Sequence, residues 1–207
     1  MKKYTSIILS ILLIVACAKK ADYPWFTGSF DDAKANAGEK LIMLDFYAAW
    51  WGGCNLLDVD TFSNPEVAQH AAENLISLKV DVDKKEGSEL FSTFNGTAMP
   101  TLIFLDGSGN EIDRIIGYLP AAEYQVRVAE IQGNLNTLGS CLQRYENGER
   151  TSNLLFTMAQ KYSDRNESDN AKKYYIELLD LFPDVNENIG STARFELAYD
   201  EFKNGNM

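Results

Sequence analysis

The sequence is poor in the residues that most often carry metal binding and catalysis. It has one histidine and three cysteines among 207 residues. His70 stands on a predicted helix near Gln69 and Glu73, and no second histidine completes a ligand set. We therefore predict that His70 is a solvated surface residue, and we predict neither a metal site nor a cofactor.

Basic residues and long apolar runs are also scarce. The 19 lysines and arginines stand against 30 acidic residues, which gives a formal net charge of −11 at pH 7. An acidic surface argues against nucleic acid and against an anionic membrane surface as partners. After residue 16 no segment is apolar enough to cross a membrane, so we expect no later transmembrane span.

The N-terminus has the pattern of a targeting segment. Lys2 and Lys3 precede the apolar run from Ile7 to Ala16, which is short for a bilayer span. The run ends directly before Cys17 and resembles a bacterial lipobox, in which the cysteine is lipidated and becomes the first mature residue. We predict a signal peptide over 1–16 and a lipidated tether over 17–24. The protein would then be anchored to a membrane of the bacterial cell envelope, facing the periplasm or the exterior. The alternative is an ordinary signal peptide that happens to contain a cysteine.

The middle of the chain alternates short apolar runs with amphipathic segments. Ser29 before two acidic residues, and Pro65 after Asn64, are helix-start signals. Buried-type strands are predicted over 41–47, 75–82, 101–105 and 111–116, and helices over 30–37, 55–60, 65–73, 86–94 and 120–131. This order predicts an α/β layer fold with a parallel strand pair and a terminal hairpin.

The C-terminal part is predicted to be entirely helical. A composition shift over 133–139 suggests a domain boundary, with a linker and a short helix over 133–150. Between 151 and 207 small and aromatic residues recur at helical spacing, in a pattern that resembles a tetratricopeptide repeat. Because one such unit cannot bury its own face, we expect it to pack on the preceding domain or on a partner. The residues of this pattern are Leu155, Met158, Ala159 and Tyr162, then Ala171, Tyr175, Leu178 and Pro183, with Phe195, Leu197, Ala198 and Phe202 beginning a further helix.

One five-residue segment, Trp50-Trp51-Gly52-Gly53-Cys54, carries the chemistry of the chain. It follows the strand that contains Asp45, and Met99-Pro100-Thr101 comes later in the sequence. Together these motifs resemble the thioredoxin superfamily, and most closely the extracytoplasmic thioredoxin-like domains of bacterial thiol:disulfide interchange proteins. The resemblance covers residues 25–132 and implies a thioredoxin-like fold, a central mixed sheet flanked by helices.

The resemblance also implies a role for each matched residue. In the family, the first cysteine of a Cys-x-x-Cys pair attacks a disulfide and the second resolves the mixed disulfide. Here Trp51 stands at the first position and Cys54 at the second. Asp45 matches the family's buried acid, which helps the second cysteine lose its proton. Pro100 matches the family's cis-proline, whose loop faces the cysteines and pairs with the substrate backbone.

Three hypotheses follow from the replacement of a sulfur by an indole. The first is a redox-silent protein that binds envelope proteins or peptides through a groove formed by Trp50, Trp51, Met99 and Pro100. The second is a one-cysteine thiol–disulfide oxidoreductase that uses Cys54 with Cys141 or an external thiol. The third places the binding activity in the helical tail.

Structural roles for the same residues stay open at this point. Cys54 is also typical of a small buried apolar residue, and Trp51 of a packing residue. Asp45 would then be a core acid that requires a hydrogen-bond partner. A Cys54–Cys141 disulfide is conceivable outside the cytoplasm.

Overall fold

The computed structural model describes residues 20–203 and residue 205. The predicted signal peptide and Cys17 lie outside these residues. The strands are β1 (Leu41–Tyr47), β2 (Leu75–Asp81), β3 (Thr101–Leu105) and β4 (Glu111–Ile116). The helices are α1 (Phe30–Asn36), α2 (Gly52–Leu56), α3 (Pro65–Asn74), α4 (Lys85–Thr93), α5 (Ala121–Gln132), α6 (Leu138–Glu146), α7 (Ser152–Ser163), α8 (Ser168–Leu181) and α9 (Glu187–Lys203).

The four strands form one sheet in the order β2-β1-β3-β4. β1 pairs in parallel with β2 and antiparallel with β3, and β3 and β4 form an antiparallel hairpin. The predicted α/β architecture with one parallel pair and a terminal hairpin is confirmed. Its two central strands are apolar almost throughout because helices cover both faces of the sheet.

The alternation of side chains along β1 assigns each residue to one face. Ile42, Leu44 and Phe46 point to the side covered by α1 and α4. Met43 points to the opposite side, where α3 and α5 pack, and Asp45 shares that face by the same alternation. The acidic residue is therefore directed into the core that also contains Leu57 and Phe62, from the segment that follows α2.

The helix predicted over 55–60 is longer and less regular than expected. It begins at Gly52 because the main-chain N–H groups of Cys54 and Asn55 already donate to the Trp51 carbonyl, at 3.1 and 3.2 Å. After Leu56 it continues as a π-helical segment, Leu57–Phe62. Such wider turns often mark functional sites in helices.

The C-terminal helices α6 to α9 enclose a second core. The apolar positions predicted on α7 and α8 are buried except Tyr162, which is partly buried and stacks on Tyr174 with ring centroids 5.6 Å apart. The helical part thus fits the tetratricopeptide-like pattern. It also packs on the α/β part, since Lys161 of α7 and Arg165 of the following turn form buried ion pairs with Asp113 of β4.

Candidate functional site

The start of α2 holds Trp51 at the surface. Trp51 is the N-cap residue, with an extended backbone. Its side chain is 45% exposed, and the neighbouring Trp50 is 66% exposed. The two indoles meet edge to face at 5.8 Å, and Trp50 Nε1 donates to Asp83 Oδ2 at 2.9 Å. The sequence left open whether Trp51 is a packing residue or part of a binding surface. Because nearly half of its side chain is exposed, a buried packing role is wrong for Trp51.

Gly53 leaves room for the Trp51 indole and the Pro100 ring to approach the same point of α2, because glycine has no side chain. A Cβ added to Gly53 would lie 3.1 Å from Trp51 Nε1 and 3.3 Å from Pro100 Cδ. Both contacts are tighter than ordinary van der Waals distances. The Trp51 ring therefore lies over the first turn of α2, next to the pyrrolidine ring of Pro100.

The Met99–Pro100 loop is held on both sides of Met99. The Met99–Pro100 peptide bond is cis. The Pro100 carbonyl accepts a hydrogen bond from the Gly117 N–H at 2.8 Å, and Thr101 Oγ1 donates to the Ala98 carbonyl at 2.7 Å. Within residues 20–203, the main-chain N–H and C=O of Met99 bond to no other residue. These groups are free for an incoming extended chain, although Pro100 itself is buried.

Cys54 is a poor nucleophile in this environment. Its side chain is 3% exposed and it forms no disulfide with a described residue. Burial raises the pKa of the Cys54 thiol, and the Asp45 and Asp58 carboxylates act in the same direction. A hydrogen bond with the Ala48 backbone and the Lys79 ammonium act against this shift. Because the thiolate is the reactive form, Cys54 is both inaccessible and largely protonated near neutral pH.

Asp45 lies in the core without the partner that the sequence led us to expect. Its exposed fraction is 2%, and Oδ1 has no hydrogen-bond partner among the described residues. Burial raises the pKa of Asp45 to about 7, with the Lys79 ammonium lowering it and the Asp58 carboxylate raising it. The expectation of a hydrogen-bonded core acid is thus wrong for Oδ1. With this pKa the carboxyl group exists in both its protonated and its ionised form near neutral pH.

Two charged residues near Asp45 were missed by the sequence reasoning. Lys79 is the direct neighbour of Asp45 across the parallel pair, and it forms an ion pair with Asp58 of the π-helical segment. The Lys79 ammonium also lies over the rings of Trp25 and Tyr47, 5.1 and 4.8 Å from their centroids. The strand register that creates this neighbourhood is not visible in local sequence. The one sequence feature that could have indicated this neighbourhood was a lysine, Lys79, at an inward-facing position of a buried strand.

The disulfide between Cys54 and Cys141 is absent. Both residues are free and buried, and Cys141 packs in the core of the helical part. Across residues 20–203 and 205 the structure has no cluster of histidine, cysteine and carboxylate side chains arranged for a metal. His70 is half-buried, and its Nε2 lies 3.0 Å from Gln132 Oε1. In the same part of the chain, no helix combines the length and apolar character of a membrane span.

This chain is similar to known proteins over about half of its length. A family model described as a thioredoxin-like domain matches residues 29–132. The thiol:disulfide interchange protein DsbD of Cronobacter sakazakii is 38% identical over 98 residues, which are 45% of this chain and 17% of that protein. Its counterpart in Yersinia pestis is 37% identical over 94 residues, 44% of this chain and 16% of that protein.

A thioredoxin from Thermus thermophilus is similar in structure, with a TM-score of 0.47 and 24% identity, over 53% of this chain and 86% of that one. The chain matches about a sixth of the length of the two interchange proteins.

Proposed function

This chain belongs to the thioredoxin-like family, and on that premise we propose that it is a cell-envelope lipoprotein that binds extended peptide segments without turning over disulfides. The observation that carries the proposal is the exposed indole of Trp51 at the helix start, beside the free main-chain groups of Met99. An aromatic anchor next to an unpaired N–H and C=O is a combination that peptide-binding grooves use.

The loss of two-cysteine exchange follows from the chemistry. In a complete exchange, one thiolate attacks a client disulfide, forms a mixed disulfide and releases the client's other sulfur as a thiolate. A second thiolate then attacks the protein's own sulfur, closes an intramolecular disulfide and releases the reduced client. Trp51 has no sulfur for the first step. Cys54 is buried with a raised pKa, so it is not available in its place.

Binding needs neither of these steps. An extended peptide would pair with the N–H and C=O of Met99 in the manner of an added strand, and its side chains would contact the indoles of Trp50 and Trp51. Gly53 supports this arrangement because a side chain there would displace Trp51 from Pro100. We therefore expect clients with apolar or aromatic residues in unfolded or extended segments.

The binding proposal is tested with a cellulose-bound array of cysteine-free extended peptides and the Trp51→Ala variant. Affinity for the best peptides should fall at least about tenfold, since buried aromatic anchors typically contribute more than about 1.4 kcal/mol. Leu135→Ala is the matched control, because Leu135 is 60% exposed and lies on the loop after α5. Unchanged affinity in Trp51→Ala would reject the groove.

The redox proposal is tested by the reduction of a small disulfide substrate with dithiothreitol as the electron source. The wild type should give no rate above the uncatalysed reaction, and Trp51→Cys should give turnover because it restores the Cys-x-x-Cys spacing to the same scaffold. Turnover by the wild type that is lost in Cys54→Ser would refute the redox-silent assignment.

The second candidate function is one-cysteine exchange, and the buried acid favours it. Asp45 has a pKa of about 7 and forms no hydrogen bond with Cys54, so it would accept the Cys54 proton at neutral pH through an intervening water molecule. The Cys54 thiolate would then attack a client disulfide, and an external thiol would release the client by attacking the mixed disulfide. Cys141 does not serve this role, since it is buried in the helical core. A Cys54 that resists alkylation in the folded protein and enters no mixed disulfide would exclude this function.

The envelope assignment depends on Cys17, and it has its own test. We propose that Cys17 carries a lipid that anchors the protein to a membrane, with the peptide-binding domain facing the periplasm or the exterior. Mass spectrometry of the mature N-terminus should find diacylglycerol on Cys17, and Cys17→Ser should move the protein from the membrane fraction to the soluble fraction. An unmodified Cys17 in membrane-associated protein would reject the lipid anchor.

A further inference from the structure

Helix α9 has apolar residues on two opposite faces, and only one of them is covered. Ile189, Ala193 and Leu197 pack into the core of the helical part. On the other side, Phe195 is 65% exposed and Phe202 is 66% exposed. Isolated exposed apolar residues are normal on protein surfaces, but here Phe195 stacks on the exposed Tyr199, with ring centroids 6.1 Å apart, and Phe202 adds a third exposed ring to the same helix.

The exposed residues follow the spacing of a helix-pairing seam. Ser191, Phe195, Ala198 and Phe202 are separated by four, three and four residues, which is the heptad pattern of a coiled-coil interface. All four are exposed. The small side chains of Ser191 and Ala198 alternate with the two rings, so a second helix with the same sequence can place its rings over the small residues.

Two opposite charges flank this seam on the same side. Arg194 and Glu201 are seven residues apart, and each directly precedes a phenylalanine of the seam. Both are exposed, and neither takes part in an ion pair with another described residue. Arg194 lies back over Gly190, where an added Cβ would be 2.8 Å from Nη1. The two charges are thus available to a partner.

Self-association about a twofold axis brings these charges together. If two copies of α9 pack antiparallel, with the axis between Phe195 and Ala198, Phe195 of each copy faces Ala198 of the other. Arg194 of each copy then lies beside Glu201 of the other, and the two ion pairs are related by symmetry. Parallel packing would place Arg194 beside Tyr199 of the second copy and would pair no opposite charges.

We propose that the Ser191–Phe202 face of α9 is a self-association surface through which two copies of this chain pack antiparallel. The seam is about 17 Å long at 1.5 Å per residue. A single helix pair of that length buries less than the roughly 1,200 Å² of a standard stable interface, so the dimer is weak and concentration-dependent. Enrichment at a membrane surface would favour it by mass action.

The charge pattern allows a test by exchange of partners. Two full-length copies with different epitope tags are expressed together and solubilised in a mild detergent, and the capture of one by the other is quantified. Wild-type copies should capture each other. R194E paired with itself, and E201R paired with itself, should each lose at least about tenfold in capture, because like charges then face each other twice. R194E paired with E201R should recover capture, because both ion pairs are restored in reversed form.

This design separates self-association from other causes. Recovery by the mixed pair shows that both variants fold and that residue 194 meets residue 201 of a second copy. E146R is the matched control, since Glu146 is exposed on α6 away from the seam, and it should leave capture unchanged. Failure of the mixed pair to recover would overturn the antiparallel arrangement. Undiminished capture in Phe195→Ala would overturn the assignment of the surface to α9.

Discussion

The buried ion pairs between β4 and α7 yield the strongest stability prediction. Asp113 has a side chain that is 1% exposed, and it contacts Lys161 and, at 3.1 Å, Arg165. Arg127 Nη2 lies 4.0 Å from the same carboxylate. Lys161 is 7% exposed, and among the described residues its only ion-pair partner is Asp113. Asp113→Asn keeps the shape of the side chain and removes the charge that holds the two parts of the protein together.

The expected loss of unfolding free energy in Asp113→Asn depends on which basic side chains the substitution leaves without a partner. Arg165 keeps a second partner, because its Nη2 lies 2.7 Å from Glu111 Oε1. Lys161 keeps no ion-pair partner among the described residues, and only the Asp164 carboxyl still interacts with its buried ammonium at longer range. Removal of one partner of a buried pair typically costs about 3–5 kcal/mol of unfolding free energy. The double variant Asp113→Asn with Lys161→Met removes both charges, and we expect it to recover at least half of that loss.

Urea unfolding, followed by tryptophan fluorescence and by far-ultraviolet circular dichroism, measures the effect. Trp25, Trp50 and Trp51 all report on the α/β part, whereas circular dichroism is dominated by the helices. Glu89→Gln is the control with a smaller expected loss, because its ion pair with Lys85 is exposed and such pairs contribute at most about 1 kcal/mol. A loss below about 0.5 kcal/mol in Asp113→Asn would refute the reasoning, as would a double variant no more stable than the single one.

Three further predictions concern single residues. Burial raises the pKa of Asp45 to about 7 in the folded state, so this carboxyl group ionises at lower pH in the unfolded protein than in the folded one. The free energy of unfolding should therefore fall by at most about 4 kcal/mol from pH 4 to pH 7 and then level off. Asp45→Asn should remove this pH dependence in urea unfolding. Gly87→Ala should lower the free energy of unfolding by about 1–3 kcal/mol, because the added Cβ would lie 2.0 Å from the Asp81 carbonyl oxygen. Gly139 has open space around it, so Gly139→Ala should be neutral or stabilising; thermal unfolding compares the two variants. Cys54 should react with iodoacetamide at pH 8 at least about a hundredfold more slowly in the folded protein than in urea, by peptide mapping.

Each of these predictions has an outcome that contradicts it. A pH dependence equal in the wild type and Asp45→Asn would mean that the carboxyl group is already ionised at pH 5 in the folded state. Equal stabilities of Gly87→Ala and Gly139→Ala would contradict the close approach of α4 to the end of β2. Rapid labelling of Cys54 under native conditions would show that the thiol is accessible and would favour one-cysteine exchange.

Local sequence predicted most of the fold because its signals act over a few residues. The apolar run of β1 and the Asn64-Pro65 helix start were placed correctly, since burial period and cap chemistry are encoded locally. The start of α2 was placed too late, at Asn55. Gly52 and Gly53 are weak helix formers, so intrinsic propensity gave no signal for a helix start at Gly52.

The candidate site was only partly predictable. Trp51, Cys54, Asp45 and the Met99–Pro100 loop were all named from the sequence, but the exposure of the indole and the missing partner of Asp45 were not. Both depend on which side chains from distant segments arrive at the same point. The relevant distances are set by strand register and helix packing, which short-range patterns do not encode.

By itself the sequence determined that a tryptophan and not a cysteine stands at position 51, because that is a matter of composition at one position. It also determined where the strands alternate with helices. Only the tertiary structure decided that Trp51 faces solvent, that Asp45 is buried with a pKa of about 7, and that Lys161 is held in the core by Asp113. The reason is physical: the exposure, charge state and partners of a side chain are properties of everything that surrounds it, and most of those neighbours are far away along the chain.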